Sequence, residues 1–402
     1  MENNLLRSKK VIVRVDFNVP INKEGIITDD TRIVKSLATI QSLIEQKAKI
    51  ILMSHLGRPL KSLNEDGTIN LKKFSLKVVA QRLAELVKTK VYFASDCGGL
   101  NSKKIIEELQ DGEIVLLENT RFQKEEEKGD SAWAEELSKL GEYYINDAFG
   151  AAHREHATTA TIAKFFDKQH KFFGQLMEAE IINATKVLNK PQRPLTAVVG
   201  GAKVSDKIDL LENLIDLCDN IIIGGGMAYT FFAAQGIPIG TSLCEADKFE
   251  LANAILKKAV DKNVNIILPL DSVCADRFAN DVEITISEGK SIEDHLMALD
   301  IGPKSILKFQ EIILNSKTIV WNGPMGVFEM SNFENGTKQI ALAIAEATQN
   351  SNAFSLIGGG DSVAAINKFD LANSVSFVST GGGAMLEMLE GKDLPGISAI
   401  KG

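Results

Sequence analysis

Cationic side chains and clustered glycines are the residues of this sequence whose types and spacing suit a chemical task. In the first half, Arg32 in "DDTRIV", His55 and Arg58 in "SHLGRP", Arg121 in "ENTRF" and Arg154 in "AAHREH" lie at or near the ends of apolar runs, beside Asp16 and Asn18 in "VRVDFN". Planar guanidinium forks match phosphate and carboxylate oxygens two at a time, so the set describes one wall of an anion pocket. One such arginine alone could be a surface ion pair of little consequence; the set carries the reading. Arg14, Asp16 and Asn18 alternate, which on a strand would put them on one face. His153 and His156 lack acids or cysteines at metal-ligand spacing and read as structural or anion-contact residues.

In the second half, Gly200 and Gly201, Gly224 to Gly226, Gly358 to Gly360 and Gly381 to Gly383 each follow an apolar run. Glycine there lets backbone N–H groups and helix N-termini approach phosphate oxygens with no Cβ in the way. Tight turns alone would also call for glycine, but four clusters favour polyphosphate binding. The sequence contains no G-x-x-x-x-G-K-[ST], and no G-x-G-x-x-G opens the first βα unit, which sets aside the P-loop and the dinucleotide fingerprint. Lys203 and Lys207, four apart in "GGAKVSDK", would share one helical face and reach phosphate as point charges. Asp361 could be a plain N-cap or a ligand for Mg²⁺, and the glycines around it favour the metal. Asn322 and Glu329 in "WNGPMGVFE" are placed to touch nucleotide phosphate or ribose hydroxyls.

The elements that must position these residues are short β-rich runs alternating with long amphipathic stretches, the pattern of βα units. The predicted fold is α/β, with two Rossmann-like domains, each a mostly parallel sheet flanked by helices. Ligands of such sheets sit outside the carboxyl ends of the strands, where both sets of candidate residues fall. The stretch 172–190 carries apolar residues at helical spacing before "PQRP", predicting a connecting helix. The expected division is 1–171 for the first domain, 191–385 for the second, and 386–402 as a segment returning to the first. The acidic run "KEEEKGD" around Glu126 reads as a solvated surface turn.

A chain of 402 residues with formal net charge −8 supports two cores and disfavours nucleic acid or an anionic membrane as partner. Cys97, Cys218, Cys244 and Cys274 lie too far apart for a structural zinc site and read as buried free thiols. No secretory signal or membrane-length apolar run is visible, so a cytoplasmic location is expected, and the sequons at Asn183 and Asn335 read as chance matches. Two other classes compete: a two-lobed binding protein that closes on an anion without chemistry, and a dinucleotide-dependent dehydrogenase. The glycine clusters argue against the first and the missing fingerprint against the second.

The segments "VRVDFNVP", "SHLGRP", "ENTRF", "GGAKVSDKI", "IIGGGMA", "VWNGPMGVFE", "GGGDS" and "STGGGAMLE" resemble, in order and spacing, the motifs of the phosphoglycerate kinase family along nearly the whole chain. The resemblance implies reversible, Mg²⁺-dependent phosphoryl transfer between 1,3-bisphosphoglycerate and ADP, giving 3-phosphoglycerate and ATP in glycolysis, on small-molecule substrates; no long apolar surface stripe demands a dimer, so a monomer is expected. It also implies a phosphoglycerate pocket of Asp16, Phe17, Asn18, Arg32, His55, Leu56, Gly57, Arg58, Arg121 and Arg154. The implied nucleotide site is Gly200, Lys203, Lys207, Gly225, Leu299, Asn322, Glu329, Gly358, Gly359, Gly360, Asp361 and Ser362, with Asp361 on the metal. Ser362 stands where many members have threonine and keeps the hydroxyl. Arg32, Lys203 and the amides at Gly360 and Gly383 are the candidates for neutralising the transferring group. The attacking carboxylate is already ionised at neutral pH, so no general base is expected. Closure about the helix predicted at 172–190 would bring the reactants together.

Overall fold

The β-branched run KVIVRV forms strand β1 (Lys10–Val15), whose alternation sends Val11, Val13 and Val15 to one hydrophobic core and Ile12 to another. The computed structural model describes residues 5–402. Burial on both faces is what a parallel sheet under two helical layers requires. The partners of β1 in its sheet are β2 (Lys49–Met53), β3 (Val91–Phe93), β4 (Ile114–Leu116), β5 (Tyr143–Asp147) and β6 (Lys171–Phe173). They lie in the order β3-β4-β2-β1-β5-β6, every pair parallel. The chain leaves β1 toward β2 on one side and later returns to β5 on the other, so the topological switch falls at the carboxyl end of β1.

The chain divides into two compact units, one running to Ile181 and including Asp393–Gly402, the other spanning Ile182–Lys392. The second unit contains β7 (Leu195–Val199), β8 (Asn220–Ile223), β9 (Asn265–Ile267), β10 (Ser272–Ala275), β11 (Thr285–Ile286), β12 (Met297–Ile301), β13 (Thr318–Asn322), β14 (Phe354–Ile357) and β15 (Phe377–Val378). Its main sheet is parallel in the order β15-β14-β13-β7-β8-β9, while β11-β10-β12 form a separate antiparallel sheet. Val198, Ile222, Ile319, Trp321 and Ile357 project into one core on the main sheet.

Several expectations need correction. The helix predicted over 172–190 occupies Gln175–Leu188; Phe172 and Phe173 belong to β6, a three-residue strand too short to announce itself by period. The return to the first unit begins at Asp393 rather than 386, because helix Gly383–Leu389 stays with the second unit, where Asn213 Nδ2 donates to Leu389 O and Lys392 pairs with Asp209 at 2.8 Å. Helix Pro395–Lys401 belongs to the first unit: Asn146 Nδ2 donates to Gly396 O at 3.1 Å and Lys171 Nζ to Ala399 O at 2.8 Å. Strand β1 ends at Val15, so Asp16 and Asn18 sit in the following loop and strand alternation does not place them. Among the described residues no helix is long and apolar enough to cross a membrane.

Candidate active site

At the carboxyl ends of β1, β2 and β4, two side-chain amides, Asn119 and Asn18, tie three loops together. Asn119 accepts from Leu56 N at 3.2 Å and Arg121 N at 3.0 Å, and donates to Leu56 O at 2.8 Å and Phe74 O at 2.9 Å. Asn18 Oδ1 accepts from Gly57 N at 2.8 Å, and Arg121 Nη1 donates to Gly57 O at 2.8 Å. These bonds fix the backbone of 55–58 against 16–18 and 119–121 before any ligand arrives. Phe17 and Leu56, assigned to the pocket by resemblance, turn their side chains into the core, which leaves only their backbone for a ligand.

The cations of this cluster are neutralised incompletely. Arg32 Nη1 donates to Asp16 Oδ2 at 2.6 Å, and Arg121 Nε stands 3.5 Å from Glu127 Oε1 with no hydrogen-bond partner of its own among the described residues. Arg58 is exposed and Arg154 half-buried, and neither pairs with a carboxylate among the described residues. Burial, with Arg14 and Arg154 nearby, pulls Arg121 down to about 10. His55 is pulled well below the usual histidine range by burial first and then by Arg14, Arg121 and Arg32. His156 falls to about 3 from burial, Arg121, Arg14 and Arg154, and its buried Nδ1 has no hydrogen-bond partner among the described residues. Mutually repelling cations held together by a rigid loop scaffold form a site that an anion would relieve.

A histidine depressed from 6.5 to about 3 is neutral in the folded state, so protons favour the unfolded chain once pH falls below 6.5. From pH 7.5 to 5.5 the His156 contribution is a loss of about 1.4 kcal/mol. The transition of the first unit in urea should therefore weaken by about that much less in His156→Phe than in the unsubstituted protein. Equal losses in the two proteins would contradict the assignment.

Arg14 and Glu126 depart most from the sequence reading. Arg14 is fully buried, not at the strand mouth; it donates to Thr158 Oγ1 at 2.8 Å, to His55 Nδ1 at 3.1 Å and to Val15 O. Glu126, expected on a solvated turn, is also fully buried and lies 3.8 Å from the Arg14 guanidinium. Its helix, Lys124–Glu127, is a single turn too short for a periodic signal. The paired basic residue was visible in the sequence, but nothing local marked which of the three consecutive glutamates would turn inward.

In the second unit, the glycines divide into two kinds. A Cβ on Gly200 would lie 1.9 Å from Pro324 O, and one on Gly323, at φ +102°, would lie 2.1 Å from Gly200 O. These glycines let the loops after β7 and β13 touch. At Gly360 and Gly383, by contrast, a Cβ would meet nothing within 4 Å; both are exposed and open helices Gly360–Lys368 and Gly383–Leu389. With no Cβ at these positions the two helix N-termini carry no side chain of their own in the way of a phosphate, although Ala384 N is already given to Gly381 O at 3.0 Å.

Lys203 and Lys207 do not share a helical face, because 201–207 form bends and turns and the helix starts at Ile208. Lys203 is exposed. Lys207 is half-buried and donates to Asn322 Oδ1; burial lowers its pKa, against the opposing pull of Asp361, Asp206 and Glu390. Asn322 Nδ2 donates to Gly358 O at 3.1 Å, so both ends of that amide are engaged. Ser362 is buried and its Oγ accepts from Gly323 N, which ties two loops together rather than presenting a hydroxyl outward.

Beside these loops lies a cavity of about 380 Å³, lined by Gly201, Gly225, Leu299, Val327, Glu329 and Asp361 among others. Leu299 and Asp300 reach it from β12, in the antiparallel sheet that sequence periodicity did not reveal. Asp300 is buried, accepts from Ile301 N at 2.9 Å and Gly336 N at 2.6 Å, and is raised to about 8 by burial. Phe278, exposed on the rim, is a further lining residue that no motif marked. Asp361 is exposed at the first turn of its helix, and among the described residues no three His, Cys, Asp or Glu converge as an all-protein cage. A single open carboxylate beside phosphate-ready amides fits Mg²⁺, which keeps water and phosphate in its shell.

A cationic pocket at the carboxyl ends of one parallel sheet and a glycine-walled cavity at those of another define the class: an α/β phosphotransferase of two units. The model of the phosphoglycerate kinase family matches residues 1–392. The phosphoglycerate kinase of Prochlorococcus marinus is 49% identical over 395 residues, covering 98% of this chain and 96% of the relative. That of Porphyromonas gingivalis is 49% identical over 417 residues, covering 98% of each. The solved structure of phosphoglycerate kinase from Coxiella burnetii matches with TM-score 0.87 at 40% identity, over 100% of this chain and 98% of that one. The enzyme from Pyrococcus horikoshii matches with TM-score 0.82 at 32% identity, over 98% and 96%. The chain belongs to the phosphoglycerate kinase family.

Proposed function

We infer that this protein transfers a phosphoryl group reversibly between 1,3-bisphosphoglycerate and ADP, giving 3-phosphoglycerate and ATP, as a kinase of glycolysis. The pocket of Asp16, Asn18, Arg32, His55, Arg58, Arg121 and Arg154 is assigned to the phosphoglycerate, with Arg58 and Arg154 free to take its phosphate. The cavity bounded by Gly201, Gly225, Leu299, Glu329 and Asp361 is assigned to ADP or ATP. The single observation that carries the division is electrostatic: incompletely neutralised guanidinium groups cluster at one sheet, and exposed glycines open two helices at the other.

Phosphoryl transfer asks the protein for alignment and charge neutralisation more than for proton transfer. Arg32 keeps guanidinium donors beyond the one given to Asp16, and the exposed Lys203 ammonium follows the glycines of β7; both are assigned to the charge on the moving group. The amides of Gly360 and Gly383 add donors that need no reorganisation. Asp361 is assigned to Mg²⁺, which when bound with the nucleotide neutralises charge on its phosphates. The two reactants are held by different units, so transfer requires that the ligands be brought into line. The free cysteines, three of the four buried, suit a reducing compartment such as the cytoplasm.

ATP formation from ADP and 1,3-bisphosphoglycerate in a coupled assay tests the reading; ligand binding without turnover would contradict it. Asp361→Ala should raise the KM for Mg·ADP at least tenfold while leaving the KM for the acyl phosphate within about twofold. A normal Mg·ADP titration in that variant would remove Asp361 from the metal site.

A further inference from the structure

The buried pair behind the cationic pocket constrains a proton. Arg14 Nη2 can only donate, and it lies 3.1 Å from His55 Nδ1. Nδ1 must therefore present its lone pair, so the ring is neutral and its hydrogen sits on Nε2. The 3.9 Å approach of His55 Nδ1 to Asp16 Oδ1 is accordingly no ion pair. His55 is 4% exposed, and among the described residues no hydrogen bond is made to its Nε2, which leaves that N–H for a ligand.

Arg14 can hold His55 this way only while its own charge is balanced, since a buried guanidinium without a partner carries a large desolvation penalty. Glu126 supplies the balance twice, directly at 3.8 Å and through Thr158. Thr158 Oγ1 accepts from Arg14 Nε at 2.8 Å and donates to Glu126 Oε1 at 2.6 Å, while Thr158 N donates to Glu126 Oε2 at 2.9 Å. Thr120 Oγ1, from the loop that also carries Arg121, donates to Glu126 Oε1 at 3.2 Å. One carboxylate thus braces the loops after β4 and β5 and the guanidinium on β1.

We propose that Glu126 is a positioning residue for the phosphoryl-transfer reaction: through Thr158 and Arg14 it fixes His55 as a neutral Nε2–H donor to the anionic substrate. The proposal rests on the assignment of this pocket to phosphoglycerate. Its consequence is that His55 contributes a directed hydrogen bond rather than a titrating charge.

Long-range ¹⁵N–¹H correlation spectra of the ligand-free full chain read the tautomer without recourse to activity. His55 should show an unprotonated Nδ1 and a protonated Nε2, unchanged from pH 8 to pH 6. Glu126→Gln and Thr158→Val should each mix the tautomers and raise the KM for 3-phosphoglycerate about tenfold, with the KM for Mg·ATP within about twofold. Thr158→Ser, which keeps the hydroxyl, should retain the single tautomer and the original KM. Thr158→Val changes no charge and stands in if Glu126→Gln fails to fold. A protonated Nδ1 in the unsubstituted protein, or a single tautomer and unchanged KM in the variants, overturns the proposal. A single tautomer whose ¹⁵N shifts do not respond to 3-phosphoglycerate overturns the pocket assignment instead, and with it the claim that the positioning serves this reaction.

Discussion

Replacing Arg32 by alanine is expected to lower kcat by about 10²–10³-fold, the range typical of losing one preorganised donor to a developing charge. Binding of 3-phosphoglycerate and Mg·ADP should weaken by less than about threefold. The asymmetry follows from where the guanidinium stands. Its Nη1 is committed to Asp16 at 2.6 Å, while the side chain is still 34% exposed at the start of helix Thr31–Glu45. A group so tethered is aimed before substrate arrives and gains most when negative charge grows opposite it. Arg32→Lys should recover part of kcat, since it restores charge without the fork. Steady-state kinetics with kcat unchanged in Arg32→Ala would remove Arg32 from the transition state. A large rise in KM at constant kcat would make it a ground-state contact.

Gly200→Ala should be the most damaging single methyl in the second unit. Its Cβ would fall 1.9 Å from Pro324 O and 2.7 Å from Gly323 O, both backbone atoms that no side-chain rotation can clear. The loops after β7 and β13 must then separate, and both wall the nucleotide cavity through Gly201, Pro324 and Gly326. Overpacking of this kind destabilises by about 3 kcal/mol, and the nucleotide Kd should rise more than tenfold while 3-phosphoglycerate binding is unaffected. Gly360→Ala is the matched control: the added methyl meets open space at a helix start, so stability should change by less than about 1 kcal/mol. Denaturant titration of the two variants decides the matter, with nucleotide calorimetry read on Gly200→Ala alone because Gly360 is itself assigned to the nucleotide. Equal behaviour would mean that close loop approach is not what the glycine at 200 provides.

The motif segments were readable because their chemistry is local: a cation or glycine just after an apolar run is visible in a handful of residues. What the sequence concealed was long-range partnership. Glu126 lies 32 residues from Thr158 and far from Arg14, and only the fold makes its burial tolerable. The lysines 203 and 207 were misplaced for the opposite reason, since four-residue spacing implies a shared face only where a helix exists, and the glycines before them delay the helix to Ile208. The strands β3, β6 and β9, three residues each, and the antiparallel trio carrying Leu299 gave too few turns of period to separate from loop. The buried Ser362 and Asn322 show a related limit: residue type announces hydrogen-bonding capacity, but whether it is turned toward a ligand or spent on a neighbouring loop is settled by packing.

Amide chemical-shift mapping of the full chain, titrated separately with 3-phosphoglycerate and with Mg·ADP, tests the division of labour most directly. The first ligand should move signals at 16–18, 55–58, 119–121 and 153–156, and the second those at 200–203, 224–226 and 358–362. Both ligands perturbing the same unit, or each perturbing the opposite one, would contradict it.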